Sequence, residues 1–210
     1  KKPNERTLVL IFDECTSGFR QCFGGIHKIF GIEPDILMLG KALGNGYAIT
    51  AVLGREKIMN SIKKTFISST FWTESSGPTA ALKTLEIMEK TKSWKQITKT
   101  GQFVKSEWKK LALKYNLKIK INGIPALSSF VFQSNNHQAY KTFITQEMLK
   151  KGFLATTTIY ISVSHTRKIL DKYFFHLEKM FKIISKCEKG DDIYKYIETK
   201  NSTTDFARLN

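Results

Sequence analysis

The sequence predicts an α/β fold followed by a small α+β lobe, on three observations. Two short, wholly apolar runs, TLVLIF (7–12) and ILML (36–39), end at Asp13 and at Gly40-Lys41, as strands buried on both faces of a parallel sheet do. Stretches with apolar residues at alternating steps of three and four follow them, which is the signature of helices with one buried face. From Lys118 the texture changes to short strand-like and helical runs in alternation.

Taken in order, the first strand carries its acid, Asp13, at its carboxyl end. Residues 14 to 34 read as loop, because Gly18, Gly24, Gly25, Gly31 and Pro34 break any periodicity. After the second strand, YAITAVLG (47–54) reads as a third and REKIMNSIKK as a short helix. FISST (66–70) reads as a further strand or extended piece. A helix is expected over 77–92, with Ser76 as its cap and Pro78 in its first turn, where the missing N–H costs nothing. Another, over 93–115, sets Trp94, Ile97, Gly101, Val104, Trp108 and Leu111 on one face. KIKIN and LSSFVFQ follow as strands, then a helix over 138–151 stopped by Gly152, then β-like FLATTTIYISVS. The last helix, 167–186, carries Ile169, Leu170, Tyr173, Leu177, Met180, Phe181 and Ile184 as its apolar stripe. After Cys187 little periodicity remains, so 188–210 reads as a surface tail. The resulting organisation is a first domain over 1–92, a connecting helix over 93–117, a small domain over 118–187, and the tail.

Composition bounds the function. At 210 residues, 41% hydrophobic and 25% charged, the chain is long enough for a real core and reads as an ordinary globular protein. No apolar run approaches the roughly 20 residues that span a bilayer, and no signal-peptide core precedes the first strand, so a cytoplasmic protein without membrane partners is expected. Three cysteines without ligand spacing argue against a disulfide framework and a zinc site, and no metal is expected. The net charge of +16 invites a nucleic-acid reading, but the lysines are spread over helix faces beside no nucleic-acid motif, and no nucleic-acid partner is expected. The chain begins without methionine at what reads as the middle of a sheet, which points to a piece of a longer protein.

Ligands of open α/β sheets bind outside the carboxyl ends of the strands, where this sequence sets an acid and an amine. Asp13 could instead cap a turn, and Lys41 could be a solvated loop lysine. Gly40 and Gly44-Asn45-Gly46 crowd the lysine into a specialised turn. A lysine so placed can lose its proton and attack a carbonyl, forming a Schiff base.

LIFDECTSGFR, EPDILMLGKALGNGYAITAVLGREKIM and SSTFWTESSGPTAALKTLEIME, in that order, closely resemble three blocks of the class III pyridoxal-phosphate-dependent aminotransferases. Within that class the likeness is greatest to the glutamate-1-semialdehyde 2,1-aminomutases and their relatives. It covers residues 5 to 90, with GFLATTTIYISVSHT resembling the family's late strand and SxxHT segment. The resemblance implies fold type I of the pyridoxal-phosphate enzymes: the later part of a large α/β/α domain, then a small α+β C-terminal domain. It implies pyridoxal 5'-phosphate as cofactor, small-molecule amino donors and carbonyl acceptors as substrates, and a homodimer with a shared active site. Asp13 matches the aspartate that keeps the cofactor's pyridine nitrogen protonated, and Lys41 the lysine that forms the Schiff base and then moves the proton. Cys15 stands where relatives often carry valine against the ring face, packing as a small hydrophobe. Thr70 matches the threonine that reaches the cofactor phosphate of the neighbouring subunit.

Other residues get plainer readings. His27, His137 and His176 read as loop or surface histidines, and His165 as a structural hydrogen-bonding group. Arg20 would meet a substrate carboxylate or stabilise the loop after Asp13. WTESSGP replaces the turn that many relatives carry and sets Trp72 and Glu74 at the expected dimer-facing mouth, favouring a related aminotransferase over the aminomutase itself. Segments that in the family precede the Asp13 strand supply the phosphate turn and the stacking ring, so a piece lacking them would bind cofactor poorly. A non-catalytic binding module is the remaining alternative.

Overall fold

The structure, a computed structural model, describes residues 8–201. They form two compact units divided between Gln96 and Ile97.

The first unit is built on a mixed three-stranded sheet, β1 (Ile11–Asp13), β2 (Ile36–Leu39) and β3 (Ala51–Gly54), in the order β1-β2-β3. β1 and β2 are parallel, so residues 14–35 form the crossover between them; β3 runs antiparallel to β2. A short helix α1 (Glu56–Met59) follows, and then α2 (Ser76–Thr91). The core gathers Phe19, Leu39, Leu43 and Ala81, with Leu37, Ile49, Leu85 and Met88 against them.

Several expectations are corrected here. The first strand is not buried on both faces: Leu8, Val9, Leu10 and Ile11 are all exposed, because no described element covers them, and Thr7 lies outside the described residues. The third strand starts at Ala51 rather than at 47, since the turn carrying Gly44 and Gly46 runs on to Tyr47 and the residues that follow it are not extended into the ladder. Of the two readings of FISST, the strand does not form; with no strand beside it among the described residues, it runs as an exposed segment outside any sheet. Ser76 does not cap α2. Glu74 does so instead, its carboxylate accepting from Ser76 N at 3.0 Å and Gly77 N at 3.4 Å; the Ser76 side chain first, and then these backbone bonds, hold its acid below the usual carboxylate range.

The second unit begins within α3 (Ser93–Lys114) and continues through β4 (Ile119–Asn122), β5 (Leu127–Phe132), α4 (His137–Lys150), β6 (Thr158–Tyr160) and α5 (Arg167–Cys187). Its sheet, β4-β5-β6, is antiparallel throughout. Ser128, Phe130 and Phe132 alternate inward along β5, the period-two pattern of a strand with one buried face. Trp108 of α3 and Phe181 of α5 close on Phe130, with ring centroids 4.8 and 5.8 Å away, and Trp108 Nε1 donates to Tyr173 Oη at 3.1 Å. A Cβ at Gly101 would lie 1.9 Å from the Pro125 carbonyl oxygen, so only glycine lets α3 approach that loop.

The stripe on α3 is buried as expected from Ile97 to Leu111. On α5 the stripe holds except for Ile169, which is exposed because it lies one step round the helix from buried Leu170. FLATTTIYISVS yields only the three-residue β6, its pairing with β5 ending at Tyr160. The tail is not all surface: Ile193 is buried, Tyr196 packs its ring on Phe143 at 6.0 Å, and Gln146 bonds to Tyr196 O and Glu198 N. Residues 202–210 lie outside the described ones.

Candidate active site

The parallel register sets Asp13 beside Met38, so β1 and β2 deliver Asp13 and Gly40-Lys41 to the same carboxyl edge. Lys41 opens a short 3-10 turn (Lys41–Leu43) with φ 44°, the left-handed region that a non-glycine residue occupies at a cost of about 1–3 kcal/mol. Packing enforces it. A Cβ at Gly44 would stand 2.2 Å from Tyr47 O and 2.7 Å from Ile49 Cγ2, so the chain folds back on itself directly after the lysine.

Lys41 is exposed, and its Nζ donates to the Thr16 hydroxyl. Asp13 Oδ1 accepts from Cys15 N at 3.1 Å. Thr50 Cγ2 and Cys15 Sγ lie 3.3 and 3.5 Å from where a Gly40 Cβ would be, so both pack closely against the glycine. Burial pushes the Cys15 thiol up, Asp13 adds to that, and Lys41 opposes it. The thiol therefore stays protonated at neutral pH and packs as a small apolar group rather than a nucleophile.

Asp13, Cys15 and Lys41 are thus brought together, and Thr16, which sequence reasoning missed, joins them. Nothing in the one-dimensional pattern distinguishes this threonine; the crossover folding back on Lys41 does. Thr70 sits on an exposed turn, where Ser69 Oγ accepts from Phe71 N at 3.2 Å, and the contacts joining the other three do not include it. Trp72 is also exposed. Arg20 Nε donates to Thr16 O at 3.3 Å, the loop-stabilising alternative of its two readings.

His27 is not a surface group. It is 5% exposed and its Nδ1 lies 2.8 Å from Oε1 of Glu14, which is 3% exposed. Glu14 also accepts from the N–H groups of Ile26 and His27. Burial would raise its acid, but these bonds outweigh burial and hold it below the ordinary range. His176 lies on α5 rather than in a loop, half-buried against Phe153. His137 opens α4, its Nδ1 3.1 Å from Ser134 O. His165 Nδ1 accepts from Ser162 N at 3.0 Å, a local structural bond.

A sequence profile described as aminotransferase class III matches residues 3–187. The chain belongs to the class III aminotransferase family. Among curated members, it is 37% identical over 144 residues to the 3-aminobutyryl-CoA aminotransferase of Cloacimonas acidaminovorans (strain Evry), covering 68% of this chain and 35% of that protein. It is 31% identical over 185 residues to the glutamate-1-semialdehyde 2,1-aminomutase of Ruminiclostridium cellulolyticum, covering 80% and 43%. The chain therefore spans less than half the length of these class III relatives. Its fold is shared with a solved structure, the pyridoxal-phosphate internal aldimine form of the FumI protein of Sphingopyxis sp. MTA144, which superposes with a TM-score of 0.78 at 21% identity, over 88% of this chain and 45% of that one. The two units are accordingly the later part of a fold type I large domain and a small α+β domain. Among the described residues no helix is long and apolar enough to cross a membrane.

Proposed function

We propose that this chain carries the lysine-bearing part of a pyridoxal-phosphate-dependent aminotransferase that moves amino groups between small-molecule donors and carbonyl acceptors. The observation that carries the reading is the convergence of Asp13 and Lys41 at one edge of parallel β1 and β2, in a chain of the class III family. The cluster suits the cofactor: a carboxylate for the pyridine nitrogen, an amine for the aldehyde, and the small Cys15 side chain beside Gly40. When bound, pyridoxal phosphate supplies the electron sink that makes the substrate's Cα–H acidic.

The chain's own residues do the rest. Asp13 holds the ring nitrogen's proton, and its Oδ1 is steadied by Cys15 N. Lys41 would hold the cofactor at its aldehyde, and its free amine would carry a proton to and from the substrate's Cα as general base and acid. Its left-handed backbone and glycine turn set where its side chain leaves the main chain, and Thr16 Oγ1 accepts from its amine. Thr70 and the exposed Phe71 and Trp72 support a dimer in which this segment reaches a neighbouring subunit's cofactor phosphate. Free thiols at all three cysteines favour a reducing, cytoplasmic setting.

A second reading, intramolecular amino transfer by a glutamate-1-semialdehyde aminomutase, is favoured by relatives of that name that align over most of this chain. Formation of 5-aminolevulinate without a separate acceptor separates it from transamination. The first test is the visible spectrum with added pyridoxal phosphate, then borohydride reduction and peptide mass analysis. Cofactor fixed on Lys41 and lost in Lys41→Ala is expected; no adduct on the whole protein overturns the enzyme reading in favour of a non-catalytic module.

A further inference from the structure

A buried carboxylate, Glu14, and a buried imidazole, His27, lie in the crossover and are not used by the mechanism above. An isolated buried carboxylate and imidazole are costly to desolvate, and an apolar pair would hold a loop as well. Glu14 and His27 therefore call for a reason beyond packing.

Glu14 is clamped from every side. Its N–H donates to Met38 O at 2.9 Å, tying it to β2, and its carbonyl accepts from Gly18 N at 2.8 Å, closing the 14–18 turn. Its carboxylate accepts from Ile26 N, from His27 N at 3.0 Å, from His27 Nδ1 at 2.8 Å and from Ser17 Oγ at 3.4 Å. The chain closes tightly over the pair, since a Cβ at Gly25 would lie 2.3 Å from His27 Nδ1. Held inside that turn are Cys15 and Thr16, and Thr16 Oγ1 is the group to which Lys41 Nζ donates. The turn cannot shift to release Lys41 without breaking the bonds to Glu14.

We propose that Glu14 and His27 are a positioning pair for Lys41, acting through Thr16: the brace fixes the 14–18 turn so that its hydroxyl parks the lysine amine beside Asp13 and Gly40. The proposal rests on the aminotransferase reading only in taking Lys41 as the reacting amine. Neither brace residue touches the amine.

The test is trace acetylation of the whole protein by acetic anhydride, read by peptide mass analysis as the labelling of Lys41 relative to exposed Lys63. Thr16→Val removes only the parking hydroxyl. Glu14→Gln removes the charge of the brace, and His27→Gln keeps the backbone bonds to Glu14, so that one brace variant remains if the other misfolds; circular dichroism checks each. Release from one ordinary hydrogen bond corresponds to about a fivefold rise in Lys41 labelling. That rise is expected in Thr16→Val and in a brace variant alike, with no further rise when the two are combined. Folded brace variants that label as wild type, a silent Thr16→Val, or effects that multiply in the double variant would each overturn the proposal. Borohydride trapping of pyridoxal phosphate on the same samples keeps the two readings apart. Wild type that takes no cofactor on Lys41, yet shows the acetylation pattern, loses the aminotransferase reading and retains the brace.

Discussion

Replacing Gly44 with alanine tests whether the turn after Lys41 is set by close packing. The new methyl would stand 2.2 Å from Tyr47 O and 2.7 Å from Ile49 Cγ2. An ordinary carbon–oxygen contact is over 3 Å, so one side must retreat by about 1 Å, and the nearer obstacle is backbone rather than a flexible side chain. The turn's own bonds, Asn45 N to Lys41 O at 3.0 Å and Tyr47 N to Gly44 O at 3.2 Å, stretch as it does. Overpacking of this kind costs about 1–3 kcal/mol, which for a chain of this size lowers Tm by roughly 2–4 °C per kcal/mol. Amide hydrogen exchange read by mass spectrometry is the suitable assay, because it reports each unit separately. Protection should fall in peptides covering 36–54 and stay unchanged across 127–150. Unchanged protection in the first segment, or an equal loss in both, would refute the packing argument.

Glu14, held below its ordinary value near 4.5, contributes stability that is fully present above that value and is lost as pH falls through its lowered pKa. Protection of 14–27 should therefore decline on acidification below about pH 4.5, and Glu14→Gln should flatten the dependence. Trp108→Phe keeps most of the buried ring but orphans Tyr173 Oη, and a loss of about 1–3 kcal/mol is expected in denaturant unfolding; Trp108→Ala should cost about 3–5 kcal/mol. Ile193→Ala should lower the second unit's stability by about 2–4 kcal/mol by the same assay, whereas a freely solvated tail would show no effect.

Long-period features were legible because they belong to single elements. The stripes on α3 and α5 follow from a 3.6-residue turn needing one apolar side, and the alternation in β5 from a two-residue repeat, so the residues name the buried face before any partner is known. Whether FISST is a strand or only an extended piece stays open in the sequence for the converse reason. A strand is completed by its neighbour, and local composition holds no record of whether a neighbour is present. The same limit applies to β1, whose apolar run reads as buried but stands exposed among the described residues.

The candidate site divides in the same way. The placement of Asp13 and Lys41 at strand ends and of the glycine turn could be read from spacing, because a strand end and a tight turn are local events with local residue requirements; their roles toward the cofactor came only from the family resemblance. The burial of His27 was not foreseen, Thr16 was passed over and Glu14 was not singled out. A histidine among glycines carries no sign of burial, and Glu14 finds it thirteen residues away only once the crossover returns to β2. The sequence by itself determined the α/β then α+β order, the helix faces and the acid and amine at the strand ends. The tertiary structure alone decided which crossover groups became buried partners and which hydroxyl met the lysine, since those contacts exist only where separated segments of chain close on one another.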